Sequence, residues 1–262
     1  MLLVDGMGVK IAYPTGAYRY DAQGQRRSVK RKQKRVVLSA LGVGPDGPWE
    51  SVPWKVAEGE RADTWKAFFG ELSLKGITEA TTDVVVSDGA HGLESALDHP
   101  RYGVAHQRCI FHKSKPLADH LGFGALPVEP RGDAAQATRQ AKRQRTKALV
   151  AEASRVYEGA GAADIRERAA KFQDTWKGRA PEAVANFLVD FEKTLSSLAI
   201  AFPESLASLI RTTHLLERFH RERRRKQRDS GMFQSEQGCE ALWYLLASRE
   251  TAKQRAMLQR RL

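Results

Sequence analysis

Three acids in the sequence sit where a carboxylate is hard to account for unless it meets a cation. Asp5 interrupts the apolar opening LLVDGMGVKI, and a carboxylate inside a strand is costly to bury unless it is paired or binds an ion. Taken alone, it would also suit the solvent face of an edge strand. Asp88 stands where DVVVSDGAHG runs out of a strand into a glycine turn, the place at which open α/β sheets set ligand-binding groups. Taken alone, it would also serve as a turn residue or a helix N-cap. As a pair at the ends of neighbouring strands, the two can share one or two Mg²⁺ ions, hard cations that prefer oxygen. Two-metal phosphoryl transfer calls for a third acid. Glu217 in LLERFHRERRRKQR is the candidate, because Leu215, Leu216 and Phe219 can anchor its helix while the carboxylate points along the sheet edge. Glu222 is the rival. Among Arg221, Arg223, Arg224 and Arg225, an i to i+3 ion pair on a solvated face suits it better.

The same helix carries Arg218, Arg221, Arg224, Arg225 and Arg228, which cover more than one face and so fit phosphate contact. A solvated charged face is the other reading of such a run, and its adjacency to Glu217 is what favours phosphate. A second basic run, QRRSVKRKQKR, includes Lys30 and Arg31. Cys109 and His112 are three apart in QRCIFHK; two ligands fall short of the four that a structural zinc takes, and composition alone reads them as core and rim. His91, His106 and His214 are not tied to them by spacing.

The elements that would position these residues follow from periodicity. Leu2 to Tyr13 reads as a strand, residues 14 to 34 as a basic hairpin, RVVLSALGV as a second strand, and Trp49 to Val56 as a third after the turn GPDGP. Trp65, Phe68, Phe69 and Leu72 recur at three and four and predict a helix over residues 61–75. DVVVSDGAHG gives a fourth, buried-type strand, a helix begins near Leu93, and Val104 to Phe111 gives a fifth strand. Hairpin strands followed by helix, strand, helix, strand is the order of a ribonuclease-H-like α/β core, a mixed five-stranded sheet flanked by helices. Residues 128–210 lose their strand signals and are rich in Ala, Arg, Lys, Glu and Gln, which predicts an all-helical insertion with breaks near Gly159 to Gly161, Gly178 to Pro181 and Pro203. The expected organisation is residues 1–127 for the first part of the core, 128–210 for the insertion, 211–234 for the Glu217 helix, and 235–262 for a basic helical tail.

Bulk properties agree. The chain has 262 residues, 42% hydrophobic, so it can bury a sizeable core. Its 43 Lys and Arg against 31 Asp and Glu leave a net charge of +12, which makes nucleic acid the leading partner. No stretch is apolar enough to span a bilayer, the opening lacks the order of a secretory signal, and two cysteines are too few for a disulfide framework. A cytoplasmic, nucleoid-associated protein with reduced thiols is expected.

Four blocks in order, LLVDGMGVKI, VVVSDGAHGLESAL, HQRCIFHK and TTHLLERFHRERRR, resemble the catalytic domain of mutator-type bacterial transposases, the class that shares the DDE ribonuclease-H-like core. The resemblance runs over about residues 1–235, with the helical insertion between the third and fourth blocks. It implies Asp5, Asp88 and Glu217 as the catalytic triad. It also implies a structural or assisting role for Cys109 and His112, and two Mg²⁺ or Mn²⁺ ions. The implied reaction is metal-dependent cleavage of double-stranded DNA at the ends of an insertion sequence, followed by strand transfer into target DNA. A homodimer or higher assembly would pair the two ends. Relatives commonly carry Asn three residues before and after the Glu, where this chain has His214 and His220. Family members usually have a separate N-terminal region that binds the terminal repeats; this chain opens almost on the first catalytic strand, so truncation is expected. The other functions to separate are an inactive DNA-binding remnant and a ribonuclease-H-like nuclease without strand transfer.

Overall fold

The computed structural model describes residues 1–44, 49–98, 103–118, 133–200 and 211–259. The turn GPDGP, the break near Pro203, and residues 119–132 and 201–210 of the expected core and insertion fall wholly or mostly outside them.

Alternation of apolar residues builds the sheet. β1 (Leu2–Tyr20) pairs antiparallel with β2 (Arg26–Val43), which pairs antiparallel with β3 (Trp49–Ala57). On its other side β1 runs parallel to β4 (Val84–Ser87), and β5 (Ala105–Arg108) lies beyond, giving the order β3-β2-β1-β4-β5. This is a mixed five-stranded sheet flanked by helices, consistent with a ribonuclease-H-like fold.

Because successive side chains point to opposite faces, the sheet has two differently dressed sides. On one side Leu2, Val4, Leu38, Ala40 and Val85 pack against Trp65, Phe68, Phe69 and Leu72 of α1 (Ala62–Leu74) and Leu93 and Ala96 of α2 (His91–Leu97). The four α1 residues are the ones whose spacing predicts that helix. Asp5, Ser39 and Trp54 are register partners across β1, β2 and β3 and share the other side. That side receives α7 (His214–Ser230) and α8 (Glu236–Gln259), with Trp54 and Trp243 ring centroids 6.3 Å apart.

Strands β1 and β2 do not stop where their buried residues stop. They continue through the basic run as a two-stranded ribbon, exposed along nearly all of residues 14–34, where a hairpin between two shorter strands was expected. The turn at its tip is tied by Asp21, whose Oδ1 accepts the amides of Gln23 (3.0 Å) and Gln25 (2.8 Å).

The chain divides into two compact units, residues 1–106 with 202–262, and residues 107–201. In the second, α3 (Ile110–Ser114) leads to α4 (Asp133–Val156), α5 (Ala162–Trp176) and α6 (Pro181–Leu188), which close around Tyr157, Phe172, Trp176, Phe187 and Phe191. Gln107 is pinned inside this unit by the carbonyl of Thr194 (2.7 Å) and the amide of Ser197 (2.8 Å).

Candidate active site

Asp5 and Asp88 are brought level by the sheet. Leu2 pairs with Val85 and Leu3 with Val86 on parallel strands, and the same offset carries Asp5 opposite Asp88, one residue past the end of β4. Asp5 is buried, at 7% exposure, in the middle of an apolar strand. Asp88 is partly open to solvent; its Oδ1 accepts the amide of Ala90 at 2.9 Å, ahead of α2. Gly89 makes that turn with φ 79°, in the left-handed region that favours glycine. Ser87, just before, is hydrogen-bonded to His106 Nε2 at 2.7 Å.

α7 meets this edge through one stripe. Leu216, Phe219, His220 and Arg223 are buried, a spacing of three, four and seven that defines a single helical face. Within it His220, fully buried, points Nδ1 at Asp5 Oδ2 from 3.0 Å and places Nε2 2.8 Å from Ser39 Oγ. The approach to Asp5 is off the hydrogen-bond axis, so the ring's hydrogen bond is the one to Ser39. Glu217 lies one turn before His220 on α7, partly open, and its Oε1 accepts the Thr213 hydroxyl at 3.1 Å.

Two further contacts fix α7. The Arg223 guanidinium is sandwiched, its carbon 3.3 Å from the Phe219 ring centroid and 3.5 Å from that of Trp243 on α8. Burial pushes the guanidinium's pKa down, and the two ring faces compensate the cation. Beyond the helix, Phe233 exchanges backbone hydrogen bonds with Lys10 and Ala12 at 2.9 Å each, tying the α7–α8 connection to the edge of β1.

A fourth acid lies against β1 beside the residue that follows Asp5, and sequence reasoning missed it. Glu60, in the polar link between β3 and α1, sets its carboxyl against β1 so closely that a Cβ at Gly6 would lie 1.7 Å from Oε1. Its own carbonyl oxygen would lie 1.9 Å from a Cβ at Gly92 in α2. The residue as a whole is exposed, yet desolvation of the carboxyl against the strand, with the charges of Asp88 and Asp5, pushes its pKa up to about 7. No local pattern in the sequence marks Glu60.

The predicted cationic residues fall in two places. Arg221 and Arg225 line a groove between α7 and α8 with Arg228, Arg249 and Lys253, and Arg224 is exposed. The side chain of Arg218 lies outside the described residues. Glu222 pairs with Arg225 at 2.8 Å on the exposed face, the i to i+3 ion pair its surroundings predict. Lys30 and Arg31 are exposed on the ribbon, where Lys30 Nζ donates to the carbonyl of Gln234 at 3.0 Å. Cys109 and His112 are in the second unit, the first fully buried ahead of α3 and the second half-buried on it.

The fold is thus of the ribonuclease-H-like α/β type, with Asp5 within β1 level with Asp88 just past the end of the adjacent β4. The family model of Mutator-family transposases matches residues 22–123 and 134–255, and the chain belongs to that family. The match takes in Asp88, Cys109, His112 and Glu217 and begins after Asp5. The chain is 34% identical over 89 residues to the Staphylococcus aureus transposase for insertion sequence element IS256 in transposon Tn4001, covering 32% of this chain and 22% of that protein. It is 22% identical over 208 residues to the Lactococcus lactis transposase for IS905 (79% and 46%), and 25% identical over 213 residues to the Rhizobium meliloti transposase for ISRM5 (81% and 48%). It therefore spans about half the length, or less, of these relatives.

Proposed function

We propose that this chain is the catalytic core of a DDE transposase that cuts double-stranded DNA at the ends of an insertion sequence and joins them to target DNA. The observation that carries the reading is the level placement of Asp5 and Asp88 on parallel neighbours, with the Glu217 helix fastened to Asp5 through His220. Buried and half-buried carboxylates at the inner strands β1 and β4 fit a hard divalent cation. Asp5, Asp88 and Glu217 would hold Mg²⁺ or Mn²⁺, two ions in this reading. Such ions activate the attacking oxygen and stabilise the leaving one.

The protein's own part is positioning. His220, held by Ser39, lies against the Asp5 carboxylate, and the Ala90 amide fixes that of Asp88. Glu217, Arg221, Arg224 and Arg228 follow one another at helical spacing along α7, so a phosphate backbone lying on the arginines is led toward the acid. The ribbon adds a second DNA contact. Residues 19–35 hold eight Lys and Arg against one acid, Asp21, and alternation sends Arg27, Arg31 and Arg35 to one face and Arg26, Lys30, Lys32 and Lys34 to the other. A ribbon cationic on both faces fits a groove walled by phosphates on both sides, and the major groove is wide enough to take one. A homodimer or higher assembly on DNA, associated with the nucleoid in the cytoplasm, completes the reading; among the described residues no helix is long and apolar enough to cross a membrane.

The test is cleavage and joining of labelled element-end DNA in Mg²⁺ or Mn²⁺, wild type against Asp88→Asn. Joined products that vanish in the variant support the transposase. Cutting without joining would leave a nuclease, and metal-independent binding alone would leave a DNA-binding remnant.

A further inference from the structure

Between β3 and α1 the chain is clamped against two glycines. Glu60 presses its carboxyl into the space beside Gly6, the residue after Asp5, and its carbonyl into the space beside Gly92, four residues after Asp88. Any side chain at Gly92 would meet backbone and force the link away, whereas one at Gly6 would meet only the end of the Glu60 side chain. Glycine at both places thus lets the Glu60 carboxyl lie against β1 next to the residue that follows Asp5. The groups that bear on that carboxyl are burial, Asp88 and Asp5, none of them cationic. The charges of Asp88 and Asp5 act on the Glu60 carboxyl as repulsion, which a bound cation would relieve.

We propose that Glu60 is a fourth carboxylate of the metal site, held in reach of the ions bound by Asp5 and Asp88 by the space that Gly6 and Gly92 leave open. This rests on the metal-binding reading of Asp5 and Asp88. Oxygen donors beyond the triad suit cations that take six or more ligands, fewer of which then need to be water. A merely structural Glu60 would instead be a link residue whose carboxylate could be neutralised without consequence for ion binding.

The experiment is calorimetric titration of the DNA-free protein with Mn²⁺, alongside metal-free melting, for wild type, Asp88→Asn, Glu60→Gln and Gly6→Ala. Wild type binds and Asp88→Asn loses binding. Glu60→Gln binds Mn²⁺ at least about tenfold more weakly, in the range seen when a partner of a metal site is lost, while its metal-free melting temperature stays level or rises as repulsion is relieved. Gly6→Ala, which displaces the carboxyl and keeps its charge, weakens Mn²⁺ in the same direction and carries the test if Glu60→Gln does not fold. Wild-type affinity in both Glu60→Gln and Gly6→Ala overturns the assignment of Glu60 and leaves the Asp5–Asp88 reading standing. Wild-type affinity in Asp88→Asn, or no uptake by wild type, overturns the underlying site as well.

Discussion

His220 Nδ1 lies 3.0 Å from Asp5 Oδ2, so the helix that carries Glu217 is fastened directly to the strand that carries the first acid. The ring is fully buried and its other nitrogen meets Ser39, which leaves no room for it to turn away. His220→Ala would take the ring from beside a buried carboxylate and leave the Ser39 hydroxyl with the Asp5 carbonyl as its remaining contact, at a cost of about 1–3 kcal/mol for a buried polar group left unpaired. His220→Asn keeps a polar group beside Asp5 and Ser39 and is expected to retain more stability and more cleavage activity than the alanine variant. Chemical denaturation of the two variants beside wild type checks the order; an alanine variant as stable as the asparagine variant would contradict it.

The Arg223 stack predicts a purely structural effect. Trp243 covers one face of the guanidinium and also touches His220 edge-on, with ring centroids 5.7 Å apart. Trp243→Ala removes both contacts from a fully buried position and is expected to cost about 3–5 kcal/mol, the range for deleting a large aromatic from a core. Thermal melting measures it, and a loss below 1 kcal/mol on the order of a surface substitution would show that α8 does not brace α7.

Glu60 predicts a pH dependence of definite sign. Its pKa is raised to about 7 in the folded chain, so the folded state holds this proton more tightly than the unfolded state does. The contribution is fully present below the ordinary carboxylate range and is lost as pH rises through about 7. Metal-free wild type should therefore lose stability relative to Glu60→Gln between the ordinary carboxylate range and neutral pH. Melting temperatures of the pair across that window test it, and parallel curves would refute it.

Salt dependence tests the ribbon. Each phosphate contact removed lowers the slope of log affinity against log salt by about 0.9 for duplex DNA. Arg31→Ala combined with Lys32→Ala, two exposed residues of opposite parity, should lower the slope by about 2 if each makes one contact. A fluorescence-anisotropy salt series reads the change; an unaltered slope would mean that the ribbon does not enter the groove.

Much of the first unit was legible because its signals are local. The apolar runs around Asp5 and Asp88, the Trp65, Phe68, Phe69 and Leu72 spacing, and the Leu216 and Phe219 anchors each show within one element. The ribbon was only half legible: β1 and β2 beyond Pro14 expose both faces, so no apolar alternation marks them and the ladder is held by backbone pairing. Arg223 reads as one more cation in a basic run, and only the fold shows it between two rings. Glu60 sits in the polar stretch AEGERAD, which has the composition of a link. Its relation to Asp5 and Asp88 is made by contacts with glycines far away in sequence, and nothing in a single sequence reports those.

The most direct test of the central claim is the anomalous map of crystals grown with Mn²⁺. The account predicts density within coordinating reach of Asp5 and Asp88, shared with Glu217, and a separation of about 3.5–4 Å if two ions are present. Mn²⁺ bound elsewhere in the chain, with Asp5 and Asp88 bare at saturating metal, would contradict it.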